Sequence, residues 1–374
     1  MMKKSILFII SHLHGGGAEK VLIDVLRNFD YSKFNVDLCL IYPQGVYLSD
    51  VPSKVNVISL YKSNRDLFSR IENRIYWHLR IGFFQSFRIN RKVSKTYDTI
   101  ISFLEGEPVK YHRYVSRLAK RNISWVHTDL YNNYNTVGAF LTPDDELKSY
   151  RAMDEIVFVS NEAMIQFGNR FRLDVKKKVL YNPIDRQLIL KTAKEEDVPK
   201  GKFLICSVGR LCDVKAFDRL VRVAKRLTED GYDFEYQIIG VGELLLDLQS
   251  LRDKLGLSDR FQFPGYKNPV TPWLGRADLF VSTSKAEGFP LVVCEALCLG
   301  IPVVATRCAG TEELLGNNEF GVLTNHDDES IYNGILDMVK NNQNLEHYRQ
   351  KSVERSGMFD IQKTMNEIYQ IITN

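Results

Sequence analysis

Cysteine is scarce, with six thiols in 374 residues, and none has the dense spacing of a disulfide scaffold. That excludes a small cross-linked domain and fits reduced thiols in a cytoplasmic protein. Long apolar runs are missing too. The longest near the start, Ile6 to Ile10, falls far short of a signal-peptide core or of the ~20 residues a membrane span needs. Neither secretion by that route nor membrane integration is therefore expected. There is little net charge: 50 basic against 46 acidic residues leave +4. No low-complexity tract or short-period repeat occurs. What is present is ordinary globular material, 44% hydrophobic and 26% charged, which excludes a disordered, collagenous or fibrous chain.

The length fits two domains at one per ~100–200 residues. The charge is uneven between them. Residues 1–185 hold 27 Lys+Arg and 19 Asp+Glu (27 − 19 = +8), and the remainder 23 and 27 (23 − 27 = −4). Short apolar runs alternate with stretches of helical periodicity, the pattern of βα units and parallel sheets. Strands are predicted in the first half at Ile6–Ile10, Val36–Ile41, Thr99–Phe103, Ile123–Val126 and Ile156–Val159. The second half predicts Phe203–Val208, Phe234–Ile239, Phe261–Phe263, Leu279–Val281, Pro302–Ala305 and Val322–Leu323. The mostly charged segment Arg186–Lys202, with Lys191, Lys194, Glu195, Glu196, Asp197 and Lys200, marks the junction. This predicts an N-terminal Rossmann-like domain over 1–185 and a second over 186–359. Residues 360–374 close the chain as an amphipathic helix (Ile361, Met365, Ile368, Ile371, Ile372) packing back toward the N-terminal domain. Ligands of doubly wound sheets bind at carboxyl strand ends, so the chemistry is sought just after strands.

Three segments qualify. His14-Gly15-Gly16-Gly17-Ala18-Glu19-Lys20 follows the first strand and opens a helix. Its glycines let backbone N–H groups approach a ligand closely. The dinucleotide fingerprint fails because Lys20 stands where its last glycine belongs, and the Walker pattern fails too. Read alone, the segment also fits a plain βα turn. Gly209-Arg210-Leu211-Cys212-Asp213-Val214-Lys215 supplies a guanidinium fork and an ammonium, suited to two phosphates but common as a surface charge cluster.

The third, Ser282 to Ala296, places Glu287 and Glu295 eight residues apart across Gly288-Phe289-Pro290-Leu291. Glu287 is predicted on a loop lip, and Glu295 one turn into a helix starting near Leu291. A carboxylate accepts from two neighbouring hydroxyls, as a sugar or ribose presents. The N–H groups from Phe289 onward would face a phosphate at a helix N-terminus. An unpaired carboxylate among Glu295's apolar neighbours would be costly, which weighs against a solvated acidic loop. Cys206, Cys212, Cys294 and Cys298 show no C-x2-C pair and read as small buried apolar residues, with zinc as the alternative.

With Gly15–Lys20, Gly209–Lys215, the Glu287/Glu295 pair and Ala296–Thr311 in that order, the chain resembles the family 4 glycosyltransferases of the GT-B fold over essentially its full length. The resemblance implies two facing Rossmann-like domains with a cleft between them. It also implies retaining transfer of a sugar from a nucleotide-sugar donor, without metal or other cofactor. By that resemblance Arg210 and Lys215 hold the diphosphate and stabilise its departing charge. Glu295 takes the ribose, Glu287 the donor sugar, and Gly288 to Leu291 assist the phosphates. Tyr266 frames the base, and Gly16 and Gly17 complete the donor site. His127 falls where relatives place a histidine near the anomeric centre, with Asp129 as a companion, although a histidine there also fits a plain polar role. No covalent nucleophile is assigned. The family's habits point to a UDP-hexose or UDP-N-acetylhexosamine.

Residues 60–121 hold 14 Lys+Arg against 5 Asp+Glu (14 − 5 = +9). Tyr76, Trp77, Phe83, Phe84 and Phe87 interleave with Arg80, Arg88, Arg91, Lys92 and Lys95. The segment 76–95 suits an anionic bilayer surface, or equally a basic helix whose aromatics pack inward. Nucleic acid fits less well, since no RNA or DNA module accompanies it. The expectation is a peripheral enzyme at the inner face of the cell membrane, glycosylating a lipid-linked saccharide for surface polysaccharide or glycan biosynthesis. A nucleotide-sugar epimerase of the same fold and a non-catalytic sugar-nucleotide-binding subunit are the competing readings, and the failed fingerprint disfavours an NAD-dependent oxidoreductase.

Overall fold

The computed structural model describes residues 3–134, 136–195 and 201–373, so Glu196, Asp197 and Lys200 of the expected junction lie outside the described residues. The first unit opens β1 Lys4–Ile10, α1 Gly17–Arg27, β2 Phe34–Leu40, β3 Asn56–Ser59, α2 Leu67–Leu79, α3 Phe83–Lys92, β4 Tyr97–Ser102 and α4 Glu107–Val115. It continues with β5 Ala119–Val126, α5 Pro143–Arg151, β6 Glu155–Phe158, α6 Asn161–Arg170 and β7 Lys176–Val179. The second comprises α7 Arg186–Thr192, β8 Leu204–Val208, α8 Phe217–Glu229, β9 Glu235–Ile239, α9 Leu245–Lys254, β10 Phe261–Gly265, α10 Thr271–Leu274 and β11 Leu279–Ser282. After these come α11 Leu291–Cys298, β12 Val303–Thr306, α12 Ala309–Leu315, β13 Val322–Thr324, α13 Asp328–Val339 and α14 Asn342–Ser356. The closing helix is α15, Ile361–Thr373.

Both sheets are parallel. Their orders, β3-β2-β1-β4-β5-β6-β7 and β10-β9-β8-β11-β12-β13, reverse direction between β1 and β4 and between β8 and β11. A reversal leaves neighbouring strands with crossovers on opposite faces, and a crevice opens at their carboxyl ends. The central strands carry apolar side chains on both faces, as helices on either side require. Ile6 to Ile10 and Leu279 to Val281 are fully or almost fully buried.

Every strand expected from apolar runs is present, its ends shifted by at most two residues except in β5, which starts four residues earlier, at Ala119. Two further strands, β3 and β7, lie at the edges of the first sheet. β7 reads Lys176-Lys177-Lys178-Val179, since an edge needs no continuous apolar run and is protected by lysine.

The chain divides into compact units at Pro183/Ile184, slightly earlier than the charged segment suggested, and α7 belongs to the second unit, against α10 and α11. The last helix, from Gln362 on, belongs to the first unit. Its Tyr369 stacks on Phe34 at 5.3 Å and meets Phe29 edge-on at 5.4 Å. The Tyr369 hydroxyl donates to the Asn28 carbonyl (3.0 Å) and accepts from the Asp30 N–H (2.8 Å).

The basic segment 76–95 is not uniformly a surface. Tyr76 is buried, its hydroxyl donating to Asp145 Oδ2 at 3.0 Å. Arg88 is held by Glu72 and Lys95 by Asp37. Among the described residues no helix is long and apolar enough to cross a membrane.

Candidate functional site

In the second unit the loops after β8 and β11 come together because those strands are neighbours. Lys285 N–H donates to the Val214 carbonyl (2.8 Å), and the Thr283 hydroxyl donates to the Lys215 carbonyl (2.9 Å). These bonds fix Lys215 opposite Glu287, whose Oε1 accepts from Lys215 Nζ at 2.5 Å and from Ser284 Oγ at 2.6 Å. Both partners are largely but not fully covered, with 22% and 13% of their side chains exposed. A sugar hydroxyl and a phosphate oxygen would thus meet an acceptor and a cation side by side.

The Glu287 loop is tied down from behind. Its carbonyl accepts the Gly310 N–H at 3.0 Å, and Gly310 lies so close that a Cβ there would come within 2.6 Å of both the Gly288 carbonyl oxygen and Pro290 Cδ. A similar approach holds the β8 loop: a Cβ on Gly240 would sit 1.9 Å from the Gly209 carbonyl oxygen, and Gly240 has φ 151°. The helix α11 starts after Pro290 with no side chain capping it. Its first turn therefore presents backbone donors and the positive end of the helix dipole beside Lys215 and Glu287.

The other expected donor residues fall in different surroundings. Arg210 is exposed and forms no ion pair among the described residues. Glu295 lies one turn into α11 and is buried, 2% exposed, unlike Glu287. Gly288, Phe289 and Pro290 are buried and Leu291 partly so. Tyr266 is exposed just beyond β10, two strands from β8. Cys206, Cys294 and Cys298 are buried, and burial pushes the Cys206 thiol up to about 12. Cys212 departs from the expectation of a buried apolar residue, being only partly covered in the loop after β8.

In the first unit Gly16 precedes α1 and Gly17 begins it, again with no side-chain cap. Glu19 in the first turn lies 3.3 Å from His12 Nδ1. His127 follows β5, its ring 4.8 Å from Phe103 and stacked on Trp125. Its Nε2 is buried without a hydrogen-bond partner among the described residues. Burial pushes its pKa down to about 3, so the ring is neutral at ordinary pH. Asp129 proves to be a turn residue: its carboxylate accepts the Tyr131 and Asn132 N–H groups and the Asn132 amide.

Sequence reading missed Glu105. It follows β4, is 5% exposed, and its Oε2 accepts the His127 backbone N–H at 3.0 Å. With Glu107, Ser11, Thr136 and Gly138 it lines a cavity of about 270 Å³. The signal was a carboxylate directly after a predicted strand, followed by Gly106 and by Pro108 opening a helix.

Residues 190–355 match the family model described as glycosyl transferases group 1. Over 372 residues, covering 96% of each chain, the protein is 28% identical to an N-acetylgalactosamine-N,N'-diacetylbacillosaminyl-diphospho-undecaprenol 4-alpha-N-acetylgalactosaminyltransferase of Campylobacter jejuni. An uncharacterized glycosyltransferase of Haemophilus influenzae is 27% identical, with 98% of this chain and 99% of that one covered. Among solved structures, Anabaena Alr3699/HepE in complex with UDP-glucose superposes with a TM-score of 0.75 at 19% identity, 99% of both chains covered. The Lys215–Glu287 site lies within the segment that matches the glycosyl transferases group 1, and the two Rossmann-like parallel sheets are those of the GT-B fold.

Proposed function

We propose that this glycosyltransferase moves a hexose or N-acetylhexosamine from a UDP-sugar, with retention of configuration, to a saccharide carried on a lipid. One observation carries the reading: Lys215 Nζ and Glu287 Oε1 stand 2.5 Å apart at the carboxyl ends of β8 and β11, beside the uncapped start of α11. A cation, an acceptor and a row of backbone donors match a glycosyl diphosphate, whose leaving group gains charge as the glycosidic bond breaks. Lys215 stabilises that charge, and Arg210, exposed and without an ion partner among the described residues, is available to share it. Glu287 orients a sugar hydroxyl, and Glu295 serves the ribose.

His127 contributes a neutral imidazole, held in place through its backbone bond to Glu105, as a hydrogen-bonding partner for the donor sugar. The chain's own residues supply these roles with no metal assigned. The lipid-carried acceptor is supported by the full-length similarity to the Campylobacter jejuni enzyme, whose name includes a diphospho-undecaprenol saccharide. The donor class is supported by the UDP-glucose complex of the Anabaena structure.

The test is a panel of nucleotide sugars scored by thermal stabilisation and by nucleotide release with and without membrane lipid extract. One UDP-sugar should stabilise the protein and be consumed only with extract. Turnover of donor without acceptor would replace the reading by an epimerase, and binding without release under any condition by a non-catalytic subunit.

A further inference from the structure

Between Leu67 and Tyr97 the sequence holds seven Lys+Arg and one carboxylate, Glu72. That carboxylate is buried, accepts from the Arg88 guanidinium and from the Tyr61 hydroxyl, and is neutralised inside the protein. Arg88 is used up in the same contact and lies over the Tyr61 ring at 4.8 Å. The outward charge of α2, α3 and their connection is therefore of one sign: Arg70, Arg74, Arg80, Arg91 and Lys92 are exposed, and none has an ion-pair partner among the described residues.

Large apolar side chains stand among these cations. Leu79 and Phe83 are each 63% exposed, Phe68 61% and Phe87 56%, and Trp77 and Phe84 are exposed as well. The turn concentrates them. α2 ends on Arg80 in the left-handed region (φ 57°), Gly82 caps α3, and Leu79 and Phe83 are brought to the tip of the hairpin. Phe83 stacks on Phe87 at 6.2 Å, extending the apolar ridge one turn along α3.

Beneath this surface the hairpin is firmly seated. Tyr76 is bonded to Asp145, and the Lys110 amine lies 4.5 Å over its ring, so α2 rests on α4 and α5. The same α4 begins with Glu107, which lines the 270 Å³ cavity.

A ridge of aromatic and aliphatic side chains flanked by cations, with the Asp66 carboxylate that caps the start of α2 at its far end, matches the layered chemistry of an anionic bilayer, acyl region beneath and phosphate above. A second copy of the chain does not match it, because a two-fold contact through this face would set cations against cations. We propose that the α2–α3 hairpin docks the enzyme on anionic phospholipid membranes, with Leu79, Phe83 and Phe87 entering the interface and Arg74, Arg91 and Lys92 meeting lipid phosphates. The inference concerns this face alone and does not depend on the donor chemistry.

Sedimentation of the full chain with vesicles tests it, comparing phosphatidylcholine alone with phosphatidylcholine containing about one third phosphatidylglycerol. Binding should be at least about ten-fold tighter to the anionic vesicles and weaken in high salt. The triple variant R74Q/R91Q/K92Q should lose the dependence on anionic lipid. The variant F83S/F87S should lose most binding, and Trp77 emission should shift to the blue on binding only in the wild type. Equal affinity for both vesicles, no sedimentation, or binding that survives both variants would overturn the proposal. So would self-association abolished by F83S/F87S without vesicle binding. UDP-induced thermal stabilisation measured on the same variants should be unchanged. Its absence in the wild type as well would count against the donor reading and leave the vesicle result standing.

Discussion

Lys215 Nζ donates to Glu287 Oε1 across 2.5 Å, from a loop after one strand to a loop after its neighbour, 72 residues on. Ser284 donates to the same oxygen, so Oε1 is engaged twice. Replacing Lys215 by Ala leaves Glu287 with Ser284 alone and removes the cation. Replacing Glu287 by Ala frees the lysine. Each should lower kcat/KM by about two to three orders of magnitude if the pair acts on departing charge and sugar orientation. Because each member positions the other, the double variant should fall well short of the product of the single losses. Steady-state rates for the four proteins check this, and strictly multiplicative losses would separate the two roles.

Gly310 lies in no motif that by itself reads as chemistry, yet it fixes the loop that presents Glu287. A methyl group there would meet the Gly288 carbonyl oxygen and Pro290 Cδ at 2.6 Å, and backbone cannot move aside cheaply. Gly310→Ala should therefore cost about 1–3 kcal/mol of stability by overpacking. It should also weaken donor binding by displacing the start of α11. Denaturant unfolding and a nucleotide-binding titration report the two effects separately. A stable variant with unaltered binding would show that the loop relaxes around the added carbon.

The fold was readable where periodicity was strong. Strands such as Ile6–Ile10 and Leu279–Val281 are buried on both faces, and burial on both faces writes a continuous apolar run. It was silent where that demand lapses: β3 and β7 are edges, and Lys176–Val179 looks like loop. The Glu287 loop was legible because the glycine, proline and carboxylates that shape it are contiguous. Glu105 was not, because its tie to His127 joins the ends of two different strands, a juxtaposition that only the strand order supplies. Arg88 and Lys95 looked like surface charge for the same reason, their carboxylate partners lying 16 and 58 residues away.

Glu105 orients the segment carrying His127 through that segment's backbone N–H, so its effect should resemble that of His127 without equalling it. Glu105→Gln keeps an oxygen acceptor and should retain most activity. Glu105→Ala should lower kcat about ten-fold or more, with His127→Ala lowering it further. UDP affinity should hardly change in either case, since Lys215 and Glu287 belong to the other unit. Parallel kcat and UDP-binding measurements decide it. A Glu105→Gln variant as impaired as Glu105→Ala would point to the carboxylate's charge, and so to direct contact with substrate.

Two histidines of the first unit are held neutral by burial, which makes the stability of that unit depend on pH. His112 sits between the Ser102 hydroxyl (3.1 Å) and the Asn122 side-chain oxygen (3.0 Å), and burial pushes its pKa down to about 4. His127 is pushed to about 3. An unfolded histidine takes up its proton near pH ~6.5. Below that value the unfolded chain binds more protons than the folded one, and stability must fall as pH drops. Their contribution is fully present above pH ~6.5 and is lost progressively down to the folded values. While both remain neutral in the native state, each contributes a slope of about 1.4 kcal/mol per pH unit. Unfolding free energies measured between pH 6.5 and 4.5 should therefore decline steeply, and His112→Gln, whose amide can still bond to Ser102 and Asn122, should remove about half of the histidine-dependent slope. An unchanged slope in that variant would mean that His112 is protonated in the folded protein and that its two hydrogen bonds, not its burial, set its charge.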